Sequence, residues 1–374
     1  MSQEVEAIKQ ALSHVQDPEL HRSLTDLEMV ESIEFSGGKA KVKILLTIAG
    51  CPMQDRLRTD ITQAVQSVEG VKSVDLIFGA MTQEQRDKVK KIVRGGREKS
   101  IPFAQPGSLT RVIGIASGKG GVGKSSLTAN LAVAAARKGL SVGILDADVY
   151  GHSIPRLMGL MGVRPTAIDQ MFIPPVAYGV KVVSMEMFKP EREDAVAYRG
   201  PLLHRVLEQL LSDAHWGDLD LLLLDLPPGT GDLAISLGQL IPTSEIIVVT
   251  TPQIAAAEVA ERAGRIAHQM NQRVIGVIEN MSAFPCPNCS EEISLFGEGG
   301  GEETARVLSK LTGADVPLLG KIPFSPVLRT GGDSGQPIVD SDSESASAQA
   351  ISGVIEKVVL RKDSLLGVRL GLTT

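Results

Sequence analysis

Cysteine is scarce in this chain. Its 374 residues contain three, Cys51, Cys286 and Cys289, too few for a disulfide framework. Surplus positive charge is missing too. The net charge is −6, which leaves no electrostatic footprint for nucleic acid. Long apolar runs are also absent. The stretch 219–226 is short and is interrupted by Asp220 and Asp225, so no membrane span is expected. The apolar stretch 365–372 reads as a tail that docks on the core, with no stable membrane association. The first residues, Met-Ser-Gln-Glu-Val-Glu-Ala, lack a basic region followed by an apolar one, and a cytoplasmic location is the expectation. What is present, 43% hydrophobic and 22% charged residues, suits a globular protein of two domains.

The two regions differ in texture. Residues 1–90 read as a small α+β domain. Val5, Ile8, Leu12 and Val15 share one helical face, and Asp17-Pro18 ends that helix. Val42, Ile44, Leu46 and Ile48 alternate with polar residues as a strand. Leu57, Ile61, Val65 and Val68 mark a second helix ended by Gly70, and Val74, Leu76 and Phe78 a last strand. Residues 91–109 mix glycine, proline and charge without period and read as a linker. From 110 to 374 strands alternate with helices. The strand candidates are 111–116, 141–145, 180–184, 220–226, 245–250, 273–279 and 316–320, and their continuous apolar runs predict a mostly parallel sheet flanked by helices. Residues 332–348 read as loop, and a final helix is expected over about 349–361.

Between the first of these strands and an alanine-rich helix lies Gly118-Lys119-Gly120-Gly121-Val122-Gly123-Lys124-Ser125, followed by Ser126. It is a complete phosphate-binding loop. Its glycines let backbone N–H groups turn toward an anion, Lys124 would reach the β- and γ-phosphates of ATP, and the Ser125 hydroxyl would hold Mg²⁺. Asp225 ends an apolar strand, where a carboxylate completes the magnesium shell. The run 227–232 after it reads as a γ-phosphate sensor. Asp146 and Asp148 close another strand and can orient magnesium water and the attacking water. Lys119 is surplus to the pattern and suggests a role across an interface.

Cys286-Pro-Asn-Cys289 can ligate one metal centre. A zinc site or a four-iron cluster usually needs four ligands, and one chain offers this pair plus the distant Cys51. Half a structural zinc site, a redox dithiol and a cluster shared between two chains all remain open readings. The glycines after Phe296 would allow backbone N–H groups to approach sulfur.

The loop with its opening Lys119 resembles the deviant phosphate loops of the MinD/ParA/nitrogenase-iron-protein class of ATPases. That resemblance implies that Lys119 acts on the partner's nucleotide in a homodimer, that Asp148 orients water, and that Asp146 and Asp225 serve magnesium. Several blocks between about 110 and 340 resemble the Mrp/ApbC-type iron–sulfur cluster carrier ATPases: Leu145-Asp-Ala-Asp-Val-Tyr-Gly, Asp225-Leu-Pro-Pro-Gly-Thr-Gly-Asp, and Glu279-Asn-Met-Ser with the cysteine pair. The resemblance implies a P-loop NTPase fold and a [4Fe–4S] cluster bridged by Cys286 and Cys289 of both chains. It also implies transfer of that cluster from an assembly scaffold to apo-proteins, and adenine contacts from Asn280 and the Pro323 loop. Asp17-Pro-Glu19 and Ala49-Gly-Cys51-Pro52 resemble the MIP18-type metal–sulfur assembly domain, with Cys51 a candidate accessory thiol. The competing expectations are a MinD/ParA-like positioning or partition ATPase, which would need a basic patch or amphipathic tail, and a zinc-bridged dimer with ATP as a switch.

Overall fold

The computed structural model describes residues 3–18, 20, 22–47, 53–93, 100–105, 107–148, 151, 153–168, 171–188, 200–229, 232–254, 262, 264–286, 288–289 and 291–360. The chain divides into two compact units.

The first unit comprises Met1–Ser100 and Thr166–Ile173. Its sheet places Lys39–Leu46 in the middle, antiparallel to Val30–Ser36 and parallel to Ser73–Ala80. Helices Gln3–Ser13 and Gln54–Gln66 bury Ile8, Leu12, Leu57, Ile61 and Val65 against it. Two elements here go beyond the sequence reading. Val30–Ser36 pairs through a tight turn at Gly37-Gly38, both with positive φ (58° and 81°), the conformation that hairpin turns reserve for glycine. Helix Gln83–Val93 extends into the stretch expected as linker. It starts on a reciprocal cap in which Thr82 N–H donates to Gln85 Oε1 (2.8 Å) and Gln85 N–H to Thr82 Oγ1 (3.3 Å).

The hairpin Thr166–Ile168/Met171–Ile173 also belongs to this unit, although it lies inside the stretch expected to be one ATPase domain. Its Ile168, Met171 and Ile173 are buried in the same cluster as Ile44 and Leu57. Apolar burial at these positions outweighs proximity along the chain.

The second unit is Ile101–Pro165 with Pro174–Thr374. Its eight-stranded sheet runs in the order Leu318–Ile322, Arg273–Asn280, Glu245–Thr250, Arg111–Ser117, Leu221–Asp225, Val142–Asp146, Val180–Ser184, Val176–Ala177. All neighbours are parallel except the last pair. Val142–Asp146 and Leu221–Asp225 are buried at every residue, as a sheet covered on both faces requires. Helix Lys124–Arg137 is buried continuously from Leu127 to Ala135, which its small alanine side chains permit. Helices Pro326–Ser334 and Ile338–Ser341 occupy part of the region expected as loop, and the last helix is Ala346–Leu360. The stretch 365–372 lies outside the described residues. No described helix is long and apolar enough to cross a membrane.

Candidate functional site

The parallel register sets Asp225 directly beside Asp146 at the ends of adjacent central strands. The phosphate loop leaves the next strand, Arg111–Ser117, at the same sheet edge. Gly121 and Gly123 adopt positive φ (79° and 81°), so the loop depends on glycine there. Gly123 has a second reason to lack a side chain. A Cβ on it would sit 2.2 Å from Asn280 Nδ2, and that amide donates to the Val122 carbonyl at 2.8 Å. Asn280, implied as an adenine contact, is buried behind the loop and braces it. Pro323 is half-buried, and its carbonyl accepts the Ser347 hydroxyl at 3.2 Å.

Asp225 gathers the loop's working groups. Lys124 Nζ lies 2.7 Å from its Oδ1, the Ser125 hydroxyl donates to Oδ2 at 2.6 Å, and Thr128 donates to Oδ1 at 3.0 Å. Lys124 and Asp225 are almost wholly buried. Asp146 accepts the Ser184 hydroxyl (3.0 Å) and the Asp148 N–H (3.1 Å). Burial first, and the neighbouring Asp225 second, push its carboxyl well above the usual range. Burial also raises Asp225, against the lowering effect of Lys124, Ser125 and Thr128. Two buried carboxylates thus share one ammonium. A divalent cation fits that deficit, with Ser125, Asp146 and Asp225 as an oxygen donor set suited to Mg²⁺.

A cavity of about 670 Å³ opens over the loop, lined by Lys119, the loop residues through Ser126, Asp148 and Pro228. Lys119 is exposed at its mouth, and its carbonyl accepts the Ser117 hydroxyl. Asp148 Oδ1 accepts the Gly151 N–H at 3.0 Å. Arg156, Glu186, Arg329 and Asp333 also line the wall. Sequence reasoning assigned these four no role. Arg156 and Arg329 sit on helices Ile154–Leu157 and Pro326–Ser334; the visible signal was a proline at the start of each. Thr230 and Gly231 of the sensor run lie outside the described residues.

The cysteine pair sits on a second, separate feature. Strands Phe284–Pro285 and Glu292–Ile293 form a small antiparallel hairpin, and Cys286 N–H donates to the Glu291 carbonyl at 2.9 Å. Cys286 is half-buried and Cys289 exposed, both as free thiols. Backbone N–H groups of Cys289 and Asn288, with the Cys289 side chain, hold the Cys286 thiol below the usual thiol range, which favours a metal-binding thiolate. Among the described residues no cluster of three or more His, Cys, Asp or Glu is placed to hold a metal. Cys51 lies outside the described residues.

Two of the glycines after Phe296, Gly300 and Gly301, have a packing role of their own. A Cβ on Gly300 would meet the Thr251 carbonyl oxygen at 2.4 Å, and one on Gly301 the Glu279 side chain at 2.7 Å. Gly301 N–H donates to the buried Glu279 carboxylate at 2.7 Å. They allow helix Gly300–Thr312 to dock on the sheet, which the sequence pattern alone does not distinguish from an approach to sulfur.

Residues 108–359 match the family model described as a NUBPL iron-transfer P-loop NTPase, and residues 5–76 match one described as an iron–sulfur cluster assembly protein. A Mycobacterium tuberculosis (strain ATCC 25618 / H37Rv) protein named iron–sulfur cluster carrier protein is 53% identical over 98% of this chain and 96% of its own length. A protein of the same name from Deinococcus radiodurans is 40% identical over 93% of each chain. Among solved structures, a nucleotide-binding protein from Archaeoglobus fulgidus in complex with ADP is 38% identical, with a TM-score of 0.52 over 60% of this chain and 86% of that one.

Proposed function

The chain belongs to the iron–sulfur cluster carrier family of P-loop NTPases, and from that premise we propose that it works as an ATP-hydrolysing homodimer bridging one [4Fe–4S] cluster. Each chain would contribute Cys286 and Cys289, and the cluster would pass from an assembly scaffold to apo-proteins. The observation that carries this reading is the ligand count at the hairpin. Each chain presents two free thiols there, and no described group of three or more metal-binding side chains accompanies them. A four-iron cluster takes four thiolates, which two chains supply. Ile293 and Leu295 beside the pair are 43% and 53% exposed, an apolar rim that a second chain would cover.

At the nucleotide site Lys124 and the loop N–H groups bind the phosphates, and the brace from Asn280 keeps Val122 and Gly123 in the binding conformation. Asn280 and Pro323 do not line the described cavity and would lie on the adenine side of a bound nucleotide. Ser125, Asp146 and Asp225 would hold Mg²⁺, which supplies charge neutralisation at the phosphates. Asp148, facing the cavity, orients the attacking water, and Lys119 of one chain adds positive charge at the other chain's nucleotide. Cys51 of the assembly domain is an accessory thiol for cluster handling.

Anaerobic reconstitution with iron and sulfide tests the reading. One cluster per dimer gives broad visible absorption with about two irons per chain. If the Cys286→Ser protein keeps the same spectrum and iron content, the proposed site is wrong.

A further inference from the structure

The nucleotide cavity and the cysteine hairpin are separate features, yet one aromatic residue is packed on the hairpin and joined by a short stretch of chain to the cavity wall. Beyond the ends of strands Arg273–Asn280 and Leu318–Ile322 the two segments stay hydrogen-bonded. Ser282 N–H donates to the Ile322 carbonyl at 3.0 Å, and Phe324 N–H to the Ala283 carbonyl at 2.7 Å. The half-buried Phe324 ring is then clamped. Phe284, at the base of the hairpin, meets it edge-on at 5.9 Å between centroids, and Phe296, just past the hairpin, meets it at 6.2 Å. Such tilted and edge-to-face pairs have preferred geometry, so moving one ring moves its neighbours.

Along the chain Phe324 leads directly into a helix that lines the cavity. Ser325 caps helix Pro326–Ser334 by accepting the Leu328 N–H at 3.2 Å. Leu328 anchors that helix in the core, and the next residue, Arg329, lines the nucleotide cavity together with Gly332 and Asp333. Five positions of chain therefore separate a ring packed on the hairpin from Arg329 on the cavity wall, where its guanidinium pairs with Asp333 at 3.0 Å.

We infer that Phe324 is the positioning residue through which occupancy of the nucleotide cavity reaches the cysteine pair. A nucleotide that engages Arg329 fixes the capped helix, the helix fixes Phe324, and Phe324 fixes the hairpin through Phe284 and Phe296. This deepens the carrier reading and rests on it for the role of the cysteines, but its test needs no cluster.

The test is site-resolved alkylation of Cys286 in the cluster-free full-length protein, with and without ADP and Mg²⁺. In the wild type, nucleotide slows alkylation by about fivefold or more, the lower end of typical coupling between sites. Phe324→Ala brings that ratio to within about twofold of unity while ADP affinity stays within about threefold of wild type. Phe324→Tyr keeps the ring and restores the wild-type ratio. A wild type whose alkylation ignores nucleotide overturns the inference. So does a Phe324→Ala protein that keeps the full ratio, or one that loses ADP binding, since Phe324 would then be part of the nucleotide site itself. Cluster assembly on the wild type is scored separately, so a failed carrier reading and a failed coupling give different results.

Discussion

Replacing Asp146 with asparagine tests the electrostatic account of the nucleotide site. Asp146 is buried beside Asp225, and Lys124 is already bonded to Asp225 at 2.7 Å. Asparagine preserves the shape. Its oxygen accepts the Asp148 N–H, and its amide group donates to the Ser184 hydroxyl, which rotates to accept. What disappears is a charge with no cation of its own. Relief of that cost is worth on the order of 1–2 kcal/mol, or about 2–8 °C in the melting of a unit this size. The sign with pH follows from the raised carboxyl. A folded-state value above the unfolded one means that the folded protein holds the proton more tightly. Wild type therefore suffers no penalty below the unfolded value of about 3.9. The penalty grows as pH rises through the folded value and is complete above it. Asp146→Asn should thus melt above wild type at about pH 8, with the gap closing toward about pH 4. Mg²⁺ with ATP reverses the ranking. At about a hundredfold excess over its dissociation constant it stabilises wild type by about 2.7 kcal/mol, and it should do less for the variant. Calorimetry at the two pH values, with and without Mg²⁺ and ATP, reads all four cases. A variant that melts at or below wild type at the higher pH without Mg²⁺ refutes the reasoning.

Alkylation of Cys286 should reach half its maximal rate below the ordinary thiol value of about pH 8.5; a midpoint at or above that value, followed residue by residue by mass spectrometry, contradicts the N–H cradle around its sulfur. Gly300→Ala should cost about 1–3 kcal/mol in denaturant unfolding, because its Cβ meets backbone at 2.4 Å. Gly353→Ala, with no atom within 4 Å of the added Cβ inside helix Ala346–Leu360, should instead gain about 0.5–1 kcal/mol; equal effects would show that close packing does not explain Gly300. Mixing Lys119→Ala chains with Asp148→Ala chains should recover ATPase activity, because each mixed dimer rebuilds one site with both residues intact; absence of recovery argues against action in trans.

The nucleotide loop, its strand and the central sheet were legible because they depend on local patterns. Gly121 and Gly123 must be glycine for their φ values, and Leu221–Leu224 must be apolar because both sheet faces are covered. The helices at Pro326–Ser334 and Ile338–Ser341 were hidden by Gly331-Gly-Asp-Ser-Gly, a composition typical of loops. There Gly331 and Gly332 are small for packing against Gln336 and Leu157, a tertiary reason invisible to periodicity. Helix Gln83–Val93 had a readable signal in Thr82-x-x-Gln85 that its weak apolar stripe obscured. Arg156 and Arg329 meet at one cavity only through the fold.

The hairpin Thr166–Ile173 has a consequence for the order of events at the ribosome. The small unit cannot complete its core when Ser100 emerges, because Ile168, Met171 and Ile173 are still to be translated. At about 5–20 residues per second its final packing trails its own sequence by several seconds. During that interval the core positions that take Ile168, Met171 and Ile173 stay unfilled. A gene fragment cut at residue 100 lacks these three core side chains altogether.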